Sequence, residues 1–150
     1  MNFKSVAEIL RFALSKEKAS LQFYIDVASR VTNVATKCMF EAIEKEEQKH
    51  IEAIELELMK LGVTVYPEKD MRESDFEWSE SLEIDQGDEN MDYRDAIYVA
   101  IQKEKAAFQL YTQVLGMVQE PEYRKIFMEL AQEEMRHLMQ FEREYQALSE

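Results

Sequence analysis

The chain has 150 residues, 46% hydrophobic and 33% charged, a length that suits one domain with a full core. Its formal net charge of −13 argues against nucleic acid and anionic membranes as partners, since both would be repelled, and favours the accumulation of cations. One cysteine, Cys38, excludes a disulfide framework and any Cys-x-x-Cys site.

The opening residues, Met1-Asn2-Phe3-Lys4-Ser5, lead into a charged amphipathic segment and lack the apolar stretch and cleavage site of a signal peptide. No run approaches the apolar length needed to span a bilayer, so a cytoplasmic protein is expected. Apolar residues at spacings of three and four predict a first helix over about 5–31, with Ser5 as N-cap and Glu8 completing a capping box. Its stripe reads Val6, Leu10, Ala13, Glu17, Leu21, Tyr24, Ala28. A second helix is expected over about 34–61, begun near Thr32 or Asn33 and ended by Gly62. Its stripe runs Phe40, Ile43, Glu47, His50/Ile51, Ile54, Leu58, Leu61.

Residues 62–91 hold no sustained period, contain Pro67 and Gly87, and are strongly acidic. A connector this long can run the length of a helical hairpin, with Phe76, Trp78, Leu82 and Ile84 pinning it down. A third helix follows over about 92–115, capped by Asn90 or Asp92, with the stripe Ile97, Ala100, Glu104, Phe108, Tyr111, Leu115. The fourth, about 121–148, opens on Pro121, which suits a first helical position. Its stripe is Phe127, Leu130, Glu134, His137/Leu138, Phe141, Tyr145, Leu148. Short turns make helices 1/2 and 3/4 antiparallel neighbours. The expected fold is all-α: two helical hairpins joined by a long crossover, in one domain spanning 1–150.

The two hairpins repeat each other. An offset of 87 (134 − 47) carries Glu47/His50 onto Glu134/His137, and the same offset carries Lys16-Glu17-Lys18-Ala19 onto Lys103-Glu104-Lys105-Ala106, Tyr24 onto Tyr111 and Phe40 onto Phe127. Glu17, Glu47, Glu104 and Glu134 all fall in apolar stripes, where ionised carboxylates are costly and repel one another. No Lys or Arg shares those stripes, so divalent cations are the expected counter-charge. Positions i and i+3 share a helix face, so each Glu-x-x-His can present a carboxylate and an imidazole together. The candidate ligand set is Glu17, Glu47, His50, Glu104, Glu134 and His137, holding two ions. Mixed carboxylate and imidazole ligation suits iron or manganese, and zinc would also bind.

Tyr24 and Tyr111, two turns after Glu17 and Glu104, are candidate hydrogen-bond donors to ligand carboxylates or electron relays; ordinary aromatic packing is the competing reading. Met39, Met59, Met128, Met135 and Met139 are expected as core filler, and Cys38 as a packed thiol. Glu41, Glu44, Glu46, Glu52 and Glu55 are expected on solvated faces.

These residues resemble the ferritin-like superfamily of dinuclear carboxylate proteins, most closely its rubrerythrin-like branch. The resemblance covers 5–61 and 92–148 and implies a ferritin-like four-helix bundle. It also implies Glu17, Glu104, His50 and His137 as terminal ligands, Glu47 and Glu134 as bridging ligands, and two iron ions that react with hydrogen peroxide or dioxygen. An iron-storage ferroxidase subunit of the bacterioferritin type, a hydroxylase and a structural metal-binding bundle are the alternatives on the same scaffold. Two departures matter. Rubrerythrins usually carry a rubredoxin-like segment with paired Cys-x-x-Cys motifs, absent from this sequence, so electrons are expected from a separate donor such as a rubredoxin. They also tend to place an extra ligand Glu one turn after the terminal Glu of helix 3, where this chain has Ala107. A homodimer is expected, since small bundles of this type often pair.

Overall fold

The computed structural model describes residues 5–62 and 93–149. The described residues form four helices, here α1 (Val6–Arg30), α2 (Val34–Lys60), α3 (Tyr93–Leu115) and α4 (Pro121–Ser149), each within a residue or two of its expected bounds. Among the described residues there is no strand. The chain divides into two compact units, Met1–Glu77 and Trp78–Glu150, each containing one hairpin.

In the first unit, Ser5 takes an extended conformation and its Oγ accepts the Glu8 backbone N–H at 3.2 Å, as the capping signature predicts. Val31, a β-branched residue at ψ 132°, ends α1 by leaving helical geometry while its N–H still donates to the Val27 carbonyl. Asn33 restarts the helix, accepting the Thr36 N–H on Oδ1 at 3.1 Å. At the far end Gly62 adopts φ +72°, a left-handed conformation in which its N–H reaches the Met59 carbonyl at 2.9 Å.

The helices of this hairpin pack antiparallel, and contacting pairs show it. Tyr24 meets Phe40 with ring centroids 6.0 Å apart, Glu17 meets His50, and Lys18 meets Glu55. From the Tyr24–Phe40 pair to the Glu17–His50 and Lys18–Glu55 pairs, the numbers fall along α1 and rise along α2. The buried face includes Leu10, Ala13, Phe23, Tyr24, Phe40, Ile43, Ile54 and Leu58.

The second unit repeats the plan. Pro121 opens α4, where a missing N–H costs nothing. Arg124, one turn into α4, donates from Nη1 to the carbonyls of Leu115 and Val118, satisfying acceptors left open at the end of α3. Tyr111 stacks on Phe127 at 6.1 Å, Glu104 meets His137, and Tyr98 meets Tyr145. The Tyr93 hydroxyl donates to Glu144 at 2.5 Å near the open end.

Several expectations fail at the edges of the stripes. Met59, Met128 and Met139 are exposed, and Met39 and Met135 are half-buried, so these methionines are not core filler. Each lies beside its helix's apolar stripe rather than on it. Cys38 is exposed because it precedes Phe40 by two residues and so faces away from the core. Leu61 and Leu148, at helix ends, are exposed. The crossover 62–91 beyond Gly62, its anchors Phe76, Trp78, Leu82 and Ile84, and the caps Asn90 and Asp92 lie outside the described residues. Among the described residues no helix is long and apolar enough to cross a membrane.

Candidate metal centre

Glu17 sits midway along α1, in register with Leu10, Ala13 and Tyr24. Glu47 and His50 share the inner face of α2 with Phe40, Ile43 and Ile54. The three side chains are 3%, 0% and 8% exposed. Each offers a donor atom within 4.8 Å of the others, so the first hairpin gathers two carboxylates and one imidazole in a buried cluster.

Glu104, Glu134 and His137 form the equivalent cluster in the second hairpin, again with donor atoms within 4.8 Å of one another, and all are at most 2% exposed. Both oxygens of Glu47, one oxygen each of Glu17, Glu104 and Glu134, and Nδ1 of both histidines are sealed from solvent.

The imidazole–carboxylate distances are longer than ordinary hydrogen bonds and close to the spacing of two ligands on one ion. His50 Nδ1 lies 3.5 Å from Glu17 Oε2, and His137 Nδ1 lies 3.6 Å from Glu104 Oε1. Normal N–H···O bonds are shorter, with a mode near 2.9–3.0 Å. Two donors bound to one ion at about 2.1 Å, at octahedral to tetrahedral angles, sit roughly 3.0–3.4 Å apart, slightly closer than these pairs stand. Carboxylate oxygens with an imidazole nitrogen are also the donor set of first-row divalent ions. Each cluster therefore fits a metal ion by donor type, burial and spacing.

Sequence reasoning identified all six of these side chains but missed two cations beside them. Lys16 and Lys103 are 5% and 3% exposed, each directly before a cluster carboxylate. The apolar stripes hold no lysine, as expected, yet a parallel row one position earlier does. The signal was present in the repeated Lys-Glu-Lys-Ala segment, and in the apolar neighbours of each lysine at three and four residues. Glu133 was also passed over. It offers a carboxylate oxygen within 4.8 Å of a His137 ring nitrogen and pairs with Arg136.

Tyr24 and Tyr111 are fully buried and pack against Phe40 and Phe127, with Phe23 edge-on to Tyr24 at 5.5 Å. Of the outer glutamates, Glu41 and Glu52 are exposed and Glu44, Glu46 and Glu55 are half-buried. Burial first, and the neighbouring Glu41 charge second, raise the Glu44 carboxyl above its ordinary value.

The comparisons with known proteins agree with this fold. Three solved structures superpose over nearly the whole chain. A hypothetical protein from Pyrococcus furiosus has a TM-score of 0.77 at 22% identity, covering 97% of this chain and 90% of that one. A two-domain protein from Anabaena variabilis, containing DJ-1/ThiJ/PfpI-like and ferritin-like domains, has a TM-score of 0.74 at 18% identity, covering 94% of this chain and 39% of that one. A conserved hypothetical protein from Mycobacterium tuberculosis has a TM-score of 0.69 at 16% identity, covering 93% and 89%. At these identities the likeness establishes the fold: four helices of the ferritin-like, all-α class. No curated protein matches the chain. The Rubrerythrin family model matches residues 8–145, and the chain belongs to that family.

Proposed function

We propose that this protein is a dinuclear iron carboxylate oxidoreductase that reacts with hydrogen peroxide or dioxygen, as a rubrerythrin-like peroxidase or ferroxidase. The observation that carries the reading is the pair of repeat-related buried clusters, Glu17/Glu47/His50 and Glu104/Glu134/His137, each with two carboxylates and one imidazole within 4.8 Å. In this reading Glu17, Glu104, His50 and His137 are terminal ligands, and Glu47 and Glu134 bridge. Manganese or zinc would be accepted by the same donors. A pair of ferrous ions, when bound, supplies the two electrons that cleave an O–O bond.

The protein's own contribution is to hold six donors in place and keep bulk water away. The caps at Ser5 and Asn33 and the Tyr24–Phe40 and Tyr111–Phe127 contacts fix the helices on which the donors stand. Tyr24 and Tyr111 are proposed to orient the carboxylates or relay electrons. Ala107, 8% exposed, stands where rubrerythrins tend to carry a further ligand, so both hairpins offer the same three donors. That equality favours ferroxidase chemistry as the second reading, including an iron-storage subunit. Electrons would come from a separate donor such as a rubredoxin, and the working form would be a cytoplasmic homodimer.

The test is anaerobic loading with Fe(II) followed by hydrogen peroxide, monitoring ferric oxo-bridged absorbance. The wild type should develop the band, and Glu47→Ala and Glu134→Ala should each abolish it. A band that survives both substitutions refutes the site. A cage-sized species on gel filtration would select the storage reading over the peroxidase.

A further inference from the structure

Lys16 and Lys103 are related by the same offset as the clusters, 87 (103 − 16), and both are buried. Adjacent residues on a helix point about 100° apart, so Lys16 and Lys18 lie on opposite flanks of Glu17. Lys18 takes the flank facing α2, where its Nζ lies 4.0 Å from Glu55. Lys16 therefore occupies the other flank, in a buried row with Ile9, Phe12, Phe23 and Val27. Its Nζ stands 5.0 Å from the centroid of the Phe12 ring, whose face stabilises a cation. On α3 the corresponding row is Ala96, Val99, Lys103, Leu110 and Val114.

An apolar residue would fill such a row without the cost of burying an ammonium group. Twice, at equivalent places, the chain puts a cation there instead, in each case one residue before a buried cluster carboxylate. We propose, resting on the metal reading above, that Lys16 and Lys103 are positioning residues for the centre: fixed counter-charges that hold the carboxylates together while no ion is bound. Each cluster then keeps one ammonium for its two carboxylates, so the metal-free hairpin stays folded and ready to load. The same charge weakens the grip on a divalent ion, because bound metal and ammonium repel across a dry interior where salt screens little.

Two readouts besides activity test this. EDTA-stripped protein is titrated with Co(II) under argon, following ligand-field absorbance, and melting is recorded with and without Co(II). Lys16→Met and Lys103→Met, which keep length and lose charge, should each tighten Co(II) binding by roughly tenfold or more. They should also melt lower when stripped, so that the gap between loaded and stripped melting widens. Lys16→Arg should restore wild-type values. Lys18→Met, the same charge change on a side chain 39% exposed, should leave both readouts unmoved.

A variant that folds only with Co(II) present supports the proposal. Wild-type affinity and an unchanged melting gap in both methionine variants overturn it, as does failure to fold with or without metal, which packing alone would explain. If the wild type itself binds no Co(II), the underlying metal reading falls, and this inference falls with it.

Discussion

Glu47→Gln should make the metal-free protein more stable and the metal-saturated protein less so. The carboxylate is 0% exposed, and its oxygens reach within 4.8 Å of donor atoms of Glu17 and His50. At that distance and an effective dielectric constant near 20, two ionised carboxylates repel by about 3.5 kcal/mol. Glutamine has the same shape and no charge. After the residual cost of burying its amide, a net gain of about 1–3 kcal/mol remains. For a chain of this size that is a rise in Tm of about 3–10 °C. The loaded protein behaves oppositely. A ligand at a thousand times its Kd stabilises the wild type by about 4.1 kcal/mol, and the variant forfeits most of this. Scanning calorimetry on EDTA-treated and Mn(II)-saturated samples should show the two melting orders reversed. The reasoning is refuted if stripped Glu47→Gln melts at or below the wild type. That outcome would mean protein partners hold the carboxylate, since breaking a buried ion pair typically costs about 3–5 kcal/mol.

Phe127 is fully buried and stacked on Tyr111, so Phe127→Ala should cost about 3–5 kcal/mol and lower Tm by about 10 °C or more in calorimetry. The Glu44 carboxyl is raised in the folded state, by burial and then by Glu41, so its share of stability is present below the unfolded carboxylate value and is lost as pH rises through the folded one. Glu44→Gln should therefore stabilise the protein modestly at pH 7 in urea melts. That gain should vanish near pH 3, well below the ordinary glutamate value, where the wild-type carboxyl is protonated in both states.

Most of the fold was legible because local signals and periodicity agreed. Ser5, Asn33, Gly62 and Pro121 each mark a helix end through backbone chemistry that operates whatever the tertiary surroundings. The six cluster residues were legible for a different reason: charged groups in an apolar stripe contradict the pattern around them, and the contradiction recurs at a fixed offset. Periodicity failed where it depends on what covers a face. A stripe written as one line of residues is narrower than the buried surface of α1, which extends over Ile9, Phe12, Lys16 and Phe23 as well as Leu10, Ala13, Glu17 and Tyr24. Lys16 and Lys103 escaped notice because a lysine in sequence reads as solvent-facing by default. The exposed Met128 and Met139 failed in the opposite sense, since an apolar residue off the stripe reads as core until burial is known. Both errors share a cause. Hydropathy assigns each residue a preference, whereas burial is settled by neighbouring helices, and a charge enters a dry face only when another charge is there to meet it. On the proposal made above, the repeated glutamates are that other charge, and one site then accounts for the buried carboxylates and the buried lysines alike.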